Sequence, residues 1–379
     1  MIVDDRLDVT AAEVHGRRER VRAAMTSERI ATLAVYNNGQ HDMTRMDPLF
    51  YLTDFYCIGP CWLLVPAAGR PVLYVTPGWD APRARATVPG VDVIAGDPDA
   101  ILRLVGDALA GTVGTAALSG GDALSVHAAR YLGDITALRT AGDLIARIAA
   151  VKSPAELART ERAAEIADLG FARLRECART GMREFELAAE VEAAMKAAGA
   201  DDNFGLIAAG PDLSAIRSAT DRRLEPGDSI VGEITPAYRG YHAQLCRTFV
   251  LGEPRPKVRS NFDLLIDAER QAFAQALPGR STAEIAAAAN DAISAGGYGE
   301  FCRPPYMRTR GHGLGVGGVI PDLDPDDGIA LEAGMTFVIH PNQYFPDSGY
   351  LMLGDTVVIE RGGPRPLTKT PATLFWRPL

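Results

Sequence analysis

Hydrophobic positions divide the chain into two stretches of different rhythm. In the first, residues 11–27 (AAEVHGRRERVRAAMTS) place Val14, Val21 and Met25 on one helical face. Short apolar runs at 31–36 (ATLAVY), 62–66 (WLLVP), 71–75 (PVLYV), 91–95 (VDVIA) and 114–118 (GTAAL) predict strands. Helices are predicted over 97–110 and 122–132. Strand and helix in alternation predict an α/β layer.

The rhythm changes near residue 150. Ser153, Pro154 and Glu156 form an N-cap, an N1 proline and the N3 acid of a capping box. They predict a long helix running to about Thr180, closed by Gly181. Further helices are predicted over 184–198, 257–276 and 282–295, with strands at 229–234, 244–251, 335–341 and 355–360. The chain therefore reads as two domains, 1–148 and 149–379, and 379 residues are enough for each to bury a core.

Composition narrows the function classes. Hydrophobic content of 47% and charged content of 23% are ordinary for a globular protein. A net charge of −9 argues against a nucleic-acid or anionic-membrane surface. No apolar run approaches the roughly 18 residues of a membrane span. The N-terminus, MIVDDRLDVT, is too acidic for a secretory signal, which predicts a cytoplasmic protein. The five cysteines (57, 61, 177, 246, 302) are odd in number and scattered, as suits reduced thiols. Cys57 and Cys61 have the spacing of half a zinc site but no second pair nearby, so they read as buried thiols.

Four motifs carry the chemistry: the PGD turn (Pro226 to Asp228) followed by GEITPAYRGYHAQLCRTF (Gly232 to Phe249), GHGLG (Gly311 to Gly315), VIHPNQY (Val338 to Tyr344) and MLGDTVVI (Met352 to Ile359). In order and separation they resemble the pita-bread superfamily of creatinase, Xaa-Pro aminopeptidases, prolidase and methionine aminopeptidase. The word YLTDF (51–55) likewise resembles the creatinase-like N-terminal domain. The resemblance implies an α/β N-terminal domain and an α+β pita-bread C-terminal domain, a curved antiparallel sheet with helices outside. It also implies a homodimer in which the N-terminal domain, through Asp54, Phe55 and Tyr56, approaches the neighbouring site.

Metallopeptidases of that family hold two metals with Asp, Asp, His, Glu and Glu. The matching residues here are Glu233, Gln244, His312, His340 and Gly354. Two divalent cations need several carboxylates, and this set has one. No His occurs between His127 and His242, where peptidases and creatinase carry one before the PGD segment. The substrate-binding glutamates of creatinase are matched by Cys246 and Gly354.

What remains most resembles the metal-independent small-molecule branch, such as the ectoine hydrolases. The expectation is a hydrolase or lyase acting on a C–N bond of a small polar molecule, with no cofactor and no metal. Glu233 is the expected nucleophile or base, with His312 and His340 as proton carriers. Gln244, Tyr241, His242, Arg310 and Asn342 are the expected substrate-binding residues, Arg310 through a bidentate carboxylate clamp. Asp355 and Arg247 read as structural. The alternatives are a non-catalytic ligand- or partner-binding protein, an Xaa-Pro-type metallopeptidase with altered ligands, and a residual zinc site of Glu233, His312 and His340.

Overall fold

The computed structural model describes residues 9–41, 43–307 and 309–378. Most of the acidic N-terminal segment, residues 1–8, lies outside them. The chain forms two compact units, Met1–Ala149 and Ala150–Leu379.

The first unit contains α1 (Ala11–Ser27), β1 (Ile30–Asn37), α2 (Pro48–Thr53), β2 (Cys61–Pro66), β3 (Val72–Val75), α3 (Ala81–Thr87), β4 (Asp92–Ala95), α4 (Pro98–Ala110), β5 (Thr115–Ser119), α5 (Val126–Ile135) and β6 (Leu138–Thr140). Its sheet runs β4-β3-β2-β1-β5-β6, mixed in direction, with β1, β5 and β6 parallel. Ala34, Tyr36, Trp62, Leu64 and Tyr74 of the sheet pack against Ile101, Val105 and Leu109 of α4. Helix α5 starts four residues later than its pattern suggests. A short turn over Gly121–Ala123 comes first, and Ser125 supplies the cap by accepting from the Ala128 N–H. Gly120 allows that turn: a Cβ there would lie 2.2 Å from the Tyr36 carbonyl oxygen, and its φ is +76°.

After α6 (Leu144–Ala150), the second unit contains α7 (Pro154–Cys177), α8 (Glu184–Ala197), β7 (Asp202–Gly210), β8 (Ser229–Tyr238), β9 (Tyr241–His242), β10 (Leu245–Leu251), α9 (Pro256–Gln275) and α10 (Thr282–Ile293). It continues with β11 (Gly311–Gly315), β12 (Gly317–Asp322), β13 (Thr336–Ile339), β14 (Gln343–Phe345), β15 (Gly349–Leu351), β16 (Asp355–Glu360), β17 (Gly363–Pro366) and β18 (Phe375–Arg377). One sheet runs β18-β10-β8-β7 with β9 on β8, the other β12-β11-β13-β16-β17, and β14 pairs with β15.

The two larger sheets are stitched together along β10. Gln244 exchanges hydrogen bonds with the Thr356 hydroxyl, and Thr248 does the same with Met352. Between them Cys246 and Gly354 exchange two backbone hydrogen bonds, each 3.0 Å. Helices α7 and α8 cover one face through Ile166, Phe171, Leu187 and Val191, packed on Ile207, Ile230, Ile234, Leu245 and Phe249. Helices α9 and α10 pack through Ala272, Ile285 and Ala289 on Phe337, Ile339, Val357 and Ile359. This is the curved-sheet architecture with outer helices.

The capping box at α7 is complete. The Glu156 N–H donates to Ser153 Oγ at 3.2 Å, and the Ser153 N–H donates to Glu156 Oε2 at 2.8 Å. Ser153→Ala is expected to cost about 1 kcal/mol of stability, read as a lower urea midpoint at unchanged m-value. The helix ends at Cys177, short of the expected Thr180. Gly181, with φ +83°, turns the chain toward α8 instead.

Candidate active site

Period-two alternation decides what faces the site. On β8, Ile230 and Ile234 point to the helices, so Val231 and Glu233 point the other way. On β10, Leu245 and Phe249 meet the helices and Cys246 joins Val231, Ala208 and Met352. Glu233 and Cys246 are direct cross-strand partners. Cys246 is the hub of the constellation. Its sulfur accepts from Gln244 Nε2 at 3.5 Å and Asn342 Nδ2 at 3.7 Å, and its backbone pairs with Gly354.

The GHGLG segment, which reads as a glycine-rich loop, is a strand, β11, between β12 and β13. Only glycine fits at 311. Its φ is +141°, and a Cβ would lie 2.0 Å from the Val338 carbonyl oxygen. That close approach aligns His312 with His340, whose rings meet edge-on at 5.9 Å between centroids.

Burial governs the charge states. It raises the Glu233 carboxyl to about 7, because no charged partner offsets the lost water. Burial, then the neighbouring His312, lowers His340 to about 3. Burial also lowers His312. His340 therefore stays neutral through the physiological range. The His312 Nδ1–H donates to the Gly313 carbonyl at 3.1 Å, so in the neutral ring Nε2 is an acceptor. Burial, together with Glu233 and Cys246, pushes the Tyr350 phenol upward, and it stays protonated.

Several sequence-predicted residues do other work. Tyr241 donates its hydroxyl to Glu156 Oε1 at 2.9 Å, tying β9 to the start of α7. His242 Nδ1 accepts from the Gly317 N–H at 3.3 Å and supports the β11–β12 turn. Asn342 Oδ1 accepts from the Leu353 N–H and its amide donates to Cys246, so it positions the wall of the site.

Arg310 is not a substrate clamp. It is fully buried and directs its N–H groups to Asn290 Oδ1, the Pro341 and Asn342 carbonyls and Gln343 Oε1. Burial lowers its guanidinium to about 10. Gln244 is brought to the site with its Oε1 buried and without a hydrogen-bond partner, as is His340 Nδ1. The resemblance had matched Cys246 to a substrate-binding position of creatinase without giving it a role, and the β8–β10 register supplies one. Tyr350 had no signal in the sequence.

The dinuclear metal set of the family does not fit these residues. Gln244 is a neutral amide, and a Cβ at Gly354 would lie 2.4 Å from the His340 Cβ, so that position is closed to a side chain. Among the described residues, no three His, Cys, Asp or Glu side chains are grouped to hold a metal, which also removes the zinc site of Glu233, His312 and His340.

The model of metallopeptidase family M24 matches residues 158–361. The chain belongs to metallopeptidase family M24. Among M24 relatives, an Xaa-Pro dipeptidase of Pyrococcus furiosus is 33% identical over 237 residues, covering 62% of this chain and 67% of the relative. A probable dipeptidase, PepE, of Mycobacterium tuberculosis is 29% identical over 252 residues, covering 65% and 66%. The prolidase of Pyrococcus horikoshii superposes with a TM-score of 0.83 at 26% identity, covering 94% of this chain and 99% of that one. Dipeptidase PepE of Mycobacterium ulcerans gives 0.84 at 26%, covering 98% and 100%.

Three of these M24 relatives are named as dipeptidases and the fourth as a prolidase. That overturns the expectation of a metal-independent small-molecule hydrolase of the ectoine hydrolase kind. Among the described residues of this M24 chain, no helix is long and apolar enough to cross a membrane.

Proposed function

We propose that this M24 protein hydrolyses the amide bond of a small peptide-like substrate of the Xaa-Pro class, with Glu233 moving the proton. The supporting observation is a buried carboxyl on β8 held near 7, opposite Cys246 and within electrostatic reach of the Tyr350 phenol. A group poised at the working pH is the best compromise between accepting and returning a proton.

In the proposed sequence, the Glu233 carboxylate and His312 Nε2 accept hydrogen bonds from an attacking water. The water oxygen bonds to the amide carbon as Glu233 takes its proton. The carbonyl electron pair becomes an oxyanion, which accepts from the Tyr350 hydroxyl. Collapse breaks the C–N bond, and the Glu233 acid returns its proton to the leaving nitrogen. The products are a carboxylic acid and an amine, and no step is assigned to the metals that the family name implies.

The test is a panel of Xaa-Pro compounds, with free and acylated amino ends, set beside the matching Xaa-Ala panel and read by release of proline or alanine. Turnover is expected on the proline panel, with kcat/KM inflecting near pH 7. No turnover across both panels would overturn the proposal and favour a ligand-binding role.

A further inference from the structure

The charge inventory of the site, together with two buried atoms that lack a partner, points to the kind of substrate. An amide substrate with a free amino end brings a buried ammonium, which needs an anion beside it. Glu233 is the one carboxyl that β8 and β10 carry, and the groups gathered around it are uncharged. His312 and His340 are neutral, and Cys246 and Tyr350 keep their protons.

Arg310 adds a fully buried guanidinium. Asn290, Gln343 and two backbone carbonyls are its hydrogen-bond acceptors, and no carboxylate is among them. Asp322, paired with His312 in the β11–β12 register, is exposed. If Glu233 were the counterion of an ammonium, the ion pair would lower its proton affinity and make it a poorer acceptor of the proton from the attacking water.

The unpartnered atoms fit a different group. Gln244 Oε1 is a buried acceptor with no donor in the protein. An orphaned buried acceptor of this kind costs free energy until a ligand N–H reaches it. A neutral amide N–H supplies that donor without adding charge. Tyr350 is a neutral donor on the same side of the sheet, packed against the cluster that holds Cys246.

We propose that the site takes substrates whose amino end is uncharged, an N-acylated Xaa-Pro compound in preference to the free dipeptide, with Gln244 accepting from the blocked N–H. The proposal rests on the hydrolase reading above and deepens it.

The experiment compares Ala-Pro with N-acetyl-Ala-Pro on the full-length protein, by turnover and by titration calorimetry at pH 7. The acetylated compound is expected to have at least a tenfold higher kcat/KM. The gap should narrow as pH rises through about 8, where the free amine loses its proton. Gln244→Leu should lower kcat/KM for the acetylated compound at least tenfold more than it lowers that for the free dipeptide, and an equal loss on both would overturn the role given to Gln244 Oε1. Equal or better turnover of Ala-Pro would overturn the substrate assignment while leaving the hydrolase reading intact. If neither compound turns over, the hydrolase reading fails and calorimetry decides this one. Tenfold tighter binding of the acetylated compound upholds it, and equal, weaker or undetectable binding overturns it.

Discussion

Replacing Glu233 with Gln is expected to lower kcat/KM by at least about a hundredfold, the low end of what a positioned acid–base group contributes. The substitution keeps shape and removes the proton-carrying oxygen. It should also erase the inflection near pH 7, because that inflection belongs to this carboxyl.

A second consequence separates catalysis from folding. The folded-state value, about 7, lies above the ordinary carboxylate value of 4.5, so the folded protein binds the extra proton between them. Stability attached to Glu233 is complete below the unfolded value and lost as pH rises through 7. The loss is on the order of 3 kcal/mol above that pH, since each tenfold difference in proton affinity is worth about 1.4 kcal/mol. The Gln variant, which has no charge to bury, should therefore match the parent at pH 4 and melt higher at pH 8. Near-normal turnover in the variant would remove Glu233 from the mechanism. A lower Tm at pH 8 would show that the carboxyl is not held in an unfavourable charged state.

Arg247→Met is expected to be the most damaging change to stability. The side chain is fully buried, with Nη2 donating to both oxygens of Asp355 at 2.8 and 2.9 Å. Nη1 donates to the Cys246 and Gly354 carbonyls, each at 2.9 Å, and Nε and Nη2 reach Pro371 and Thr370. Methionine fills much of the volume but takes the guanidinium from a buried carboxylate, which keeps the Thr368 hydroxyl, and leaves the Thr370 and Pro371 carbonyls without this donor, while the Cys246 and Gly354 carbonyls keep their backbone partners. Breaking one partner of a buried pair costs about 3–5 kcal/mol, and the lost carbonyl hydrogen bonds add to it. Arg247→Lys should recover little, because an ammonium cannot reproduce the planar fork. Chemical denaturation of the three proteins checks this. A loss below about 1 kcal/mol for the methionine variant would mean that the junction between β10 and the Gly354 segment is held by its backbone pairing and packing without the guanidinium.

Elements with strong local signals were legible. Helix α1 matches its predicted span, and the capping box before α7 forms with both of its hydrogen bonds. The strands around Glu233 and Arg247 followed from apolar runs bounded by turns. Strand β7 was not legible. Its sequence, DNFGLIAAG, lacks alternation and carries glycine and alanine, and it is extended because β8 offers a complete ladder beside it. The same holds for β11, whose glycines read as loop and are strand only through β13.

At the site the division is sharper. The resemblance carried by the sequence motifs marked Glu233, Gln244, His312, His340 and Gly354 as one constellation, and residue type marked its shortage of carboxylates, because ligand charge is a property of side-chain type. The tertiary structure decided their roles. It turned Tyr241 to Glu156 and closed the shell around Arg310, because a buried donor takes the nearest acceptor wherever that lies in the chain. It set Cys246 against Glu233 through strand register, and it brought up Tyr350 from a hairpin more than a hundred residues away. It also held the carboxyl near 7 and both imidazoles neutral. Those charge states depend on desolvation, and desolvation is set by what packs around a group in space rather than beside it in sequence.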